Sequence, residues 1–146
     1  MPETLKIDGK MNVHIISPTH TVLDNVADKI LLPTENGYLM ILKNRAPLFT
    51  ATKAGLMWVY NVGQRPKAYY ISGGIAEIRR DICSVLAWGV EADKIDKVQI
   101  HERRVNMENE LTKFHSEAQR KQAQERIDFL KMLETKPSLL TAPDFE

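Results

Sequence analysis

The chain has one cysteine, Cys83, so no disulfide can close within it and nothing in its fold calls for an oxidising compartment. An excess of one charge sign is missing as well. Twenty basic against nineteen acidic side chains leave a formal net charge of +1, without the electrostatic footprint of a nucleic-acid partner. No apolar run approaches the roughly 18–20 residues that span a bilayer. The opening MPETLKIDGK carries acids and no apolar stretch, so it reads as neither a signal nor a transit peptide. His14, His20, His101 and His115 form no HExxH and share no ligand spacing with the lone cysteine, so no metal is expected. These absences lead to the expectation of an intracellular protein that meets a membrane only through a partner.

Glycine and proline are absent from residues 92–136, whereas all seven glycines lie at or before Gly89. That contrast divides the chain. Up to Gly89, β-branched and aromatic residues are cut at short intervals by turn residues, predicting antiparallel strands near 12–17, 21–23, 26–32, 38–42, 49–53, 56–62, 67–71, 75–79 and 82–87. Short strands at such spacing predict a β-sandwich or barrel. After it come good helix formers, with Asp93 as the expected N-cap and Asp96 favouring the first turn. SEAQ at 116–119 has the form of a capping box, which breaks the helical region at Phe114 and His115, and Pro137 ends the second helix. The reading is a helical hairpin over residues 93–136 behind a sandwich over 11–92, with an extension at 1–10 and a tail at 137–146. On the first helix, Ile95, Val98 and Val105 share one side, and Ile100, Met107, Leu111 and Phe114 the other. The second carries a stripe at Ala123, Ile127 and Leu130, with Phe129 and Met132 beside it.

Candidate chemistry is sparse. Gly73 and Gly74 precede IAEIRR, which alternates as a strand does, and no Gly-Lys-Ser/Thr follows, so a phosphate loop gives way to structural glycines at a bulge or close backbone approach. Cys83 lies in an apolar strand and reads as a small buried hydrophobe. Basic side chains of the helical region either meet an acidic partner or form a solvated face. From the residues alone the chain is a β-domain with a helical hairpin and no visible catalytic set.

Several stretches resemble the epsilon subunit of bacterial rotary ATP synthases: NRAPLFTATKAG at 44–55, YYISGGIAEIRRDICSVLAW at 69–88, VEADKID at 90–96 and the opening NVHIISPTHTV. The similarity runs in order from about residue 11 to 136. It implies a flattened sandwich of about ten antiparallel strands followed by two helices. It also implies a non-catalytic rotor subunit of a proton-translocating complex, without cofactor, at the cytoplasmic face of the bacterial inner membrane. Implied partners are the gamma subunit, the c-subunit ring and the alpha/beta catalytic head, whose ATP hydrolysis the helices inhibit by swinging from a folded to an extended state. A c-ring contact is then expected at Glu35, Tyr38, Asn44, Arg45 and Pro47. Regulatory contact with the head is expected at Arg103, Arg104, Arg120, Lys121, Arg126 and Lys131. The sequence departs from the family at Tyr38, where an acid is common, and at Lys43, Asn44 and Arg45, where Pro, Gly or Asn, and His are common. The family's nucleotide motif keeps only Ile95 and Asp96 here. Gln99 and Ile100 replace its Arg-Ala, removing a cation that would meet phosphate. The alternatives are a generic sandwich interaction module with a helical tail, or a small hydrolase built on Cys83 and a histidine.

Overall fold

A computed structural model describes residues 10–94 and 96–134, in two compact units that divide between Asp93 and Lys94. The first holds ten strands: β1 (Met11–Ile16), β2 (Thr21–Ala27), β3 (Lys29–Thr34), β4 (Gly37–Leu42), β5 (Leu48–Thr52), β6 (Gly55–Tyr60), β7 (Lys67–Ile71), β8 (Gly74–Arg79), β9 (Ile82–Leu86) and β10 (Gly89–Glu91). Along the hydrogen-bonded path the order is β10-β7-β6-β3-β5-β8-β9-β1-β2, with β4 on the other side of β3. β3 and β5 touch at a single pair, Thr34 with Thr52. The sheet therefore folds at that point into two five-stranded layers, β10-β7-β6-β3-β4 and β5-β8-β9-β1-β2. All pairings are antiparallel except β1 with β9.

The core lies between the layers. Val13, Ile15, Ile30, Leu32, Ile41, Met57, Ile71, Ala76, Cys83 and Val85 are fully enclosed there. Alternation puts their neighbours outside, which is the arrangement period-two patterning dictates.

Two strand expectations need correction. The division between β2 and β3 falls at Asp28, not at Asp24 and Asn25. Asp28 Oδ2 accepts from Val62 N at 2.7 Å and from Lys10 Nζ at 3.1 Å, so its carboxylate closes the turn, and these bonds hold its pKa below the usual carboxylate value. Asp24 and Asn25 instead ride in β2, an edge strand with polar residues free to face water, opposite His14 and Val13. The residue pattern also missed β10, a three-residue strand opening on glycine and paired with β7.

The second unit is a hairpin of α1 (Lys97–Glu110) and α2 (Glu117–Glu134), which pack on each other. The expected Asp93 cap is corrected: residues Ala92–Lys94 make a 3-10 turn, and α1 starts later, behind Asp96. Asp96 is extended (φ −98°, ψ 105°), and its Oδ1 accepts from Val98 N at 3.0 Å and Gln99 N at 3.3 Å. At the other break the Phe114 backbone is extended, and Ser116 Oγ accepts from Gln119 N at 3.0 Å, as a capping serine does. Ile100, Ala123, Ile127 and Leu133 are buried; on the Val98 side of α1, Val98 is exposed and Val105 half-buried, so that side is covered only in part. The extension at 1–9, the Pro137 stop and the tail lie outside the described residues.

Candidate interaction surfaces

At Ser72–Gly74 the chain crosses between strands, and the two glycines differ. A Cβ on Gly74 would collide with the carbonyl oxygen of Leu86 and crowd Ala87, while one on Gly73 would meet only Thr52 O at an ordinary 3.5 Å. Ser72 completes the crossing: its N–H donates to Trp88 O at 2.8 Å, and Trp88 N donates to Ser72 Oγ at 2.9 Å. Backbone approach therefore accounts for Gly74, and no helix follows to receive a phosphate.

Beside this crossing, one end of the outer face of the β5-β8-β9-β1-β2 layer is apolar and open, while Glu77, Ser84 and His14 make the rest of that face polar. Ile16 pairs with Leu86, Leu86 with Ile75, and Ile75 with Ala51, which makes a row across four strands. Ile16 is 40% exposed, Ile75 42% and Leu86 53%; Phe49, one register step away on β5, is 69% exposed. A cavity of about 300 Å³ bordered by Ile16, Pro18, Leu86 and Trp88 adjoins the row. The sequence pattern marked these segments as strands without singling out this face, because an apolar run does not say which of its faces is covered.

The five residues expected at a c ring do not share one surface loop. Glu35 occupies the tip between β3 and β4, and Tyr38 is the second residue of β4, half exposed. Asn44, Arg45 and Pro47 follow β4 at its far end; a six-residue strand separates the groups by about 17 Å. There Asn44 (φ +66°) donates its N–H to Asp81 Oδ1 at 2.7 Å, and Asp81 (φ +61°) with Arg80 (φ +53°) forms the two-residue turn between β8 and β9. Left-handed backbone suits Asn and Asp but is unusual for Arg80, and it is the twist a tight hairpin requires.

The cations expected at a catalytic head are differently engaged. Arg104 Nε donates to Glu134 Oε2 at 2.7 Å and Arg104 Nη1 to Glu108 Oε1 at 2.9 Å. The bonds to Glu108 and Glu134 raise the pKa of Arg104. His101 Nδ1 lies 2.9 Å from Glu134 Oε1, and Lys131 Nζ 3.9 Å from Glu108 Oε1. Arg103, Arg120 and Lys121 are exposed, with Arg120 Nε donating to Phe114 O at 2.9 Å. Arg126 is half-buried, and burial first, then the nearby Arg103, lowers its pKa. Asp96 of the nucleotide motif is committed to the helix cap, and Ile95 lies outside the described residues.

The structure speaks against a cysteine hydrolase. Cys83 is enclosed in the core and burial pushes its thiol up to about 12, whereas catalysis needs a thiolate. His14 pairs with Ser84 and so belongs to the opposite side of the layer, where it meets Asp24 Oδ1 at 3.0 Å.

A sequence profile described as "ATP synthase, Delta/Epsilon chain, beta-sandwich domain" matches residues 10–93. The chain is similar to the chloroplastic ATP synthase epsilon chain of Gracilaria tenuistipitata var. liui, 33% identical over 108 residues, 74% of this chain and 78% of that one. It is 41% identical over 92 residues to the chloroplastic epsilon chain of Guillardia theta, 61% of this chain and 70% of that one. Among solved structures, a chain in the Euglena gracilis mitochondrial ATP synthase (OSCP/F1/c-ring) shares the fold at TM-score 0.60 and 18% identity, covering 92% of this chain and 85% of its own. A second chain, from the Tetrahymena thermophila mitochondrial ATP synthase central stalk and c ring, does so at TM-score 0.53 and 14% identity, covering 86% and 97%.

Proposed function

The chain belongs to the epsilon-chain family of F-type ATP synthases, and on that premise we propose that it is the non-catalytic rotor-stalk subunit of such a complex, joining a gamma subunit to a c ring. It reaches the membrane through that assembly; among the described residues no helix is long and apolar enough to cross one. We place the complex at the cytoplasmic face of a bacterial inner membrane, and its alpha/beta head is the third partner, met by the basic residues of the hairpin, which in this reading inhibits the head's hydrolysis of ATP.

The observation that carries the reading is the open apolar row of Ile16, Ile75 and Leu86 with Phe49 beside it. Contiguous exposed apolar side chains on one sheet face are the mark of a protein interface, and gamma is the partner the family offers. Leu86→Glu with Ile75→Glu should weaken binding to purified gamma by at least about tenfold, since buried anchors cost more than about 1 kcal/mol each when lost. The fold should survive, because both side chains are solvent-facing. Unchanged affinity in a folded double variant would remove this face as the gamma site.

The ring contact belongs at the β3–β4 tip. Tyr38, an aromatic 50% exposed on an edge strand, is the kind of group that interfaces collect. Cysteine at Glu35 should therefore crosslink to the c subunit in the assembled complex, and cysteine at Arg45 should not. The reverse pattern would move the contact to the far end of β4.

A further inference from the structure

The net charge of +1 conceals a segregation that the topology brings out. Strand registers carry the β2–β3, β4–β5, β6–β7 and β8–β9 connections to one end of the sandwich. Of the ten Lys and Arg in residues 10–94, eight lie at this end, with Asp28 and Asp81 as the acids among them. The opposite end carries Glu35 and Lys53, one of each sign. Both acids of the basic end are engaged, Asp28 by Lys10 and Val62 N, and Asp81 by Asn44 N. Among the described residues, the side chains of Lys43, Arg45, Arg65, Lys67, Arg79 and Arg80 make no hydrogen bond or ion pair, and all but the half-buried Lys43 are exposed.

Two of these connections are fastened together. The 2.7 Å bond from Asn44 N to Asp81 Oδ1 brings Lys43 and Arg45 of one loop beside Arg79 and Arg80 of the other, four cations around one acid. Arg80 stands there against a backbone preference, since φ +53° is a region that glycine and asparagine enter more easily. An arginine held in such a turn, among cations that meet no acid of their own unit, points outward for its function.

We propose that this basic end of the sandwich docks an acidic protein surface, with partner carboxylates facing Arg45, Arg79 and Arg80. Arginine supplies four of the six open cations, and its planar fork binds a carboxylate through two parallel bonds. The bonded loops fix where three of those forks originate, which suits carboxylates at set positions; a lipid surface would reward charge alone. In the proposed function the c ring is met by the β3–β4 tip at the other end, so the acidic partner is a different chain. That last clause rests on the proposed function, whereas the surface rests on the topology of the sandwich.

The test is binding of a fluorescein-labelled polyglutamate peptide to the full chain, followed by anisotropy. Binding should weaken as salt rises from about 0.01 M to about 0.15 M, where the screening length falls from roughly 30 Å to 8 Å. Arg79→Gln with Arg80→Asn should lower the affinity by roughly tenfold, the combined loss of two exposed pairs. The urea midpoint of Arg80→Asn should not fall, because asparagine suits the left-handed turn; a merely structural arginine would lose stability and leave binding unchanged. Lys53→Gln, at the opposite end, should bind as the parent does. Unchanged affinity in the double variant, or an equal loss from Lys53→Gln, would overturn the proposal. Tighter binding to a single-stranded RNA, or to vesicles of phosphatidylglycerol and phosphatidylcholine, lost in the same double variant, would overturn the carboxylate partner and give this end to phosphate groups.

Discussion

Gly74 and Gly73 are adjacent and chemically identical, yet the fold asks different things of them. The backbone of β9 leaves no room for a Cβ at Gly74, and a carbonyl oxygen fixed in a ladder cannot step aside. Gly74→Ala should cost about 3 kcal/mol, at the upper end of overpacking effects. Gly73→Ala should lie within about 0.5–1 kcal/mol of the parent, since its Cβ meets only ordinary contact and the loss of chain freedom in the unfolded state works in its favour. Urea midpoints of the two variants check this; equal destabilisation would mean that the crossing needs both glycines for conformation rather than space. That a glycine pair inside a strand is structural was readable from the alternation after it. Which glycine is indispensable was not, because the colliding atom belongs to Leu86, twelve positions along the chain.

At the scale of elements, patterning carried most of the fold. Nine strands, the helical hairpin and the break at Phe114 follow from period, turn residues and a capping serine, each a local property. What escaped was set by partners remote in sequence. Asp28 makes the β2–β3 turn through Val62 and Lys10, and Glu134 finds its two partners on the other helix. The start of α1 is the instructive case. Asp93 and Asp96 both precede good helix formers and both suit a cap, so composition cannot choose between them; the 3-10 turn at Ala92–Lys94 delays the helix and gives the role to Asp96. Asp96→Ala should cost about 1 kcal/mol of helix stability. Hydrogen exchange should quicken at Val98 and Gln99, whose amides it caps, while Asp93→Ala leaves both unchanged. Faster exchange from the Asp93 variant alone would return the cap to the earlier position. The candidate surfaces were less legible than the elements for a related reason. Ile16, Ile75 and Leu86 lie in strands whose other faces are core, and only the two-layer arrangement separates inside from outside.

For the whole molecule, the proposed regulation depends on charges that individually do little. Arg120, Lys121 and Lys131 are exposed, and exposed pairs are worth about 0–1 kcal/mol each, so a single substitution should hardly change hydrolysis by the complex. A two-state hairpin responds to the sum. Four such contacts, with Arg126 as the fourth, can total a few kcal/mol, and moving an equilibrium from 1:99 to 99:1 needs about 5.5 kcal/mol. Replacing all four by alanine should therefore relieve inhibition of ATP hydrolysis substantially while leaving assembly with gamma intact, because the row at Ile16, Ile75 and Leu86 is untouched. Arg126 is half-buried, and its aliphatic stem contributes packing as well as charge. The same four positions changed to glutamine keep more of that packing and should relieve inhibition to a similar degree if charge is the cause. Relief by alanine alone would assign the effect to lost packing in α2. Unchanged hydrolysis in both variants, with assembly verified by copurification, would leave these cations as a solvated face and place any control of hydrolysis elsewhere.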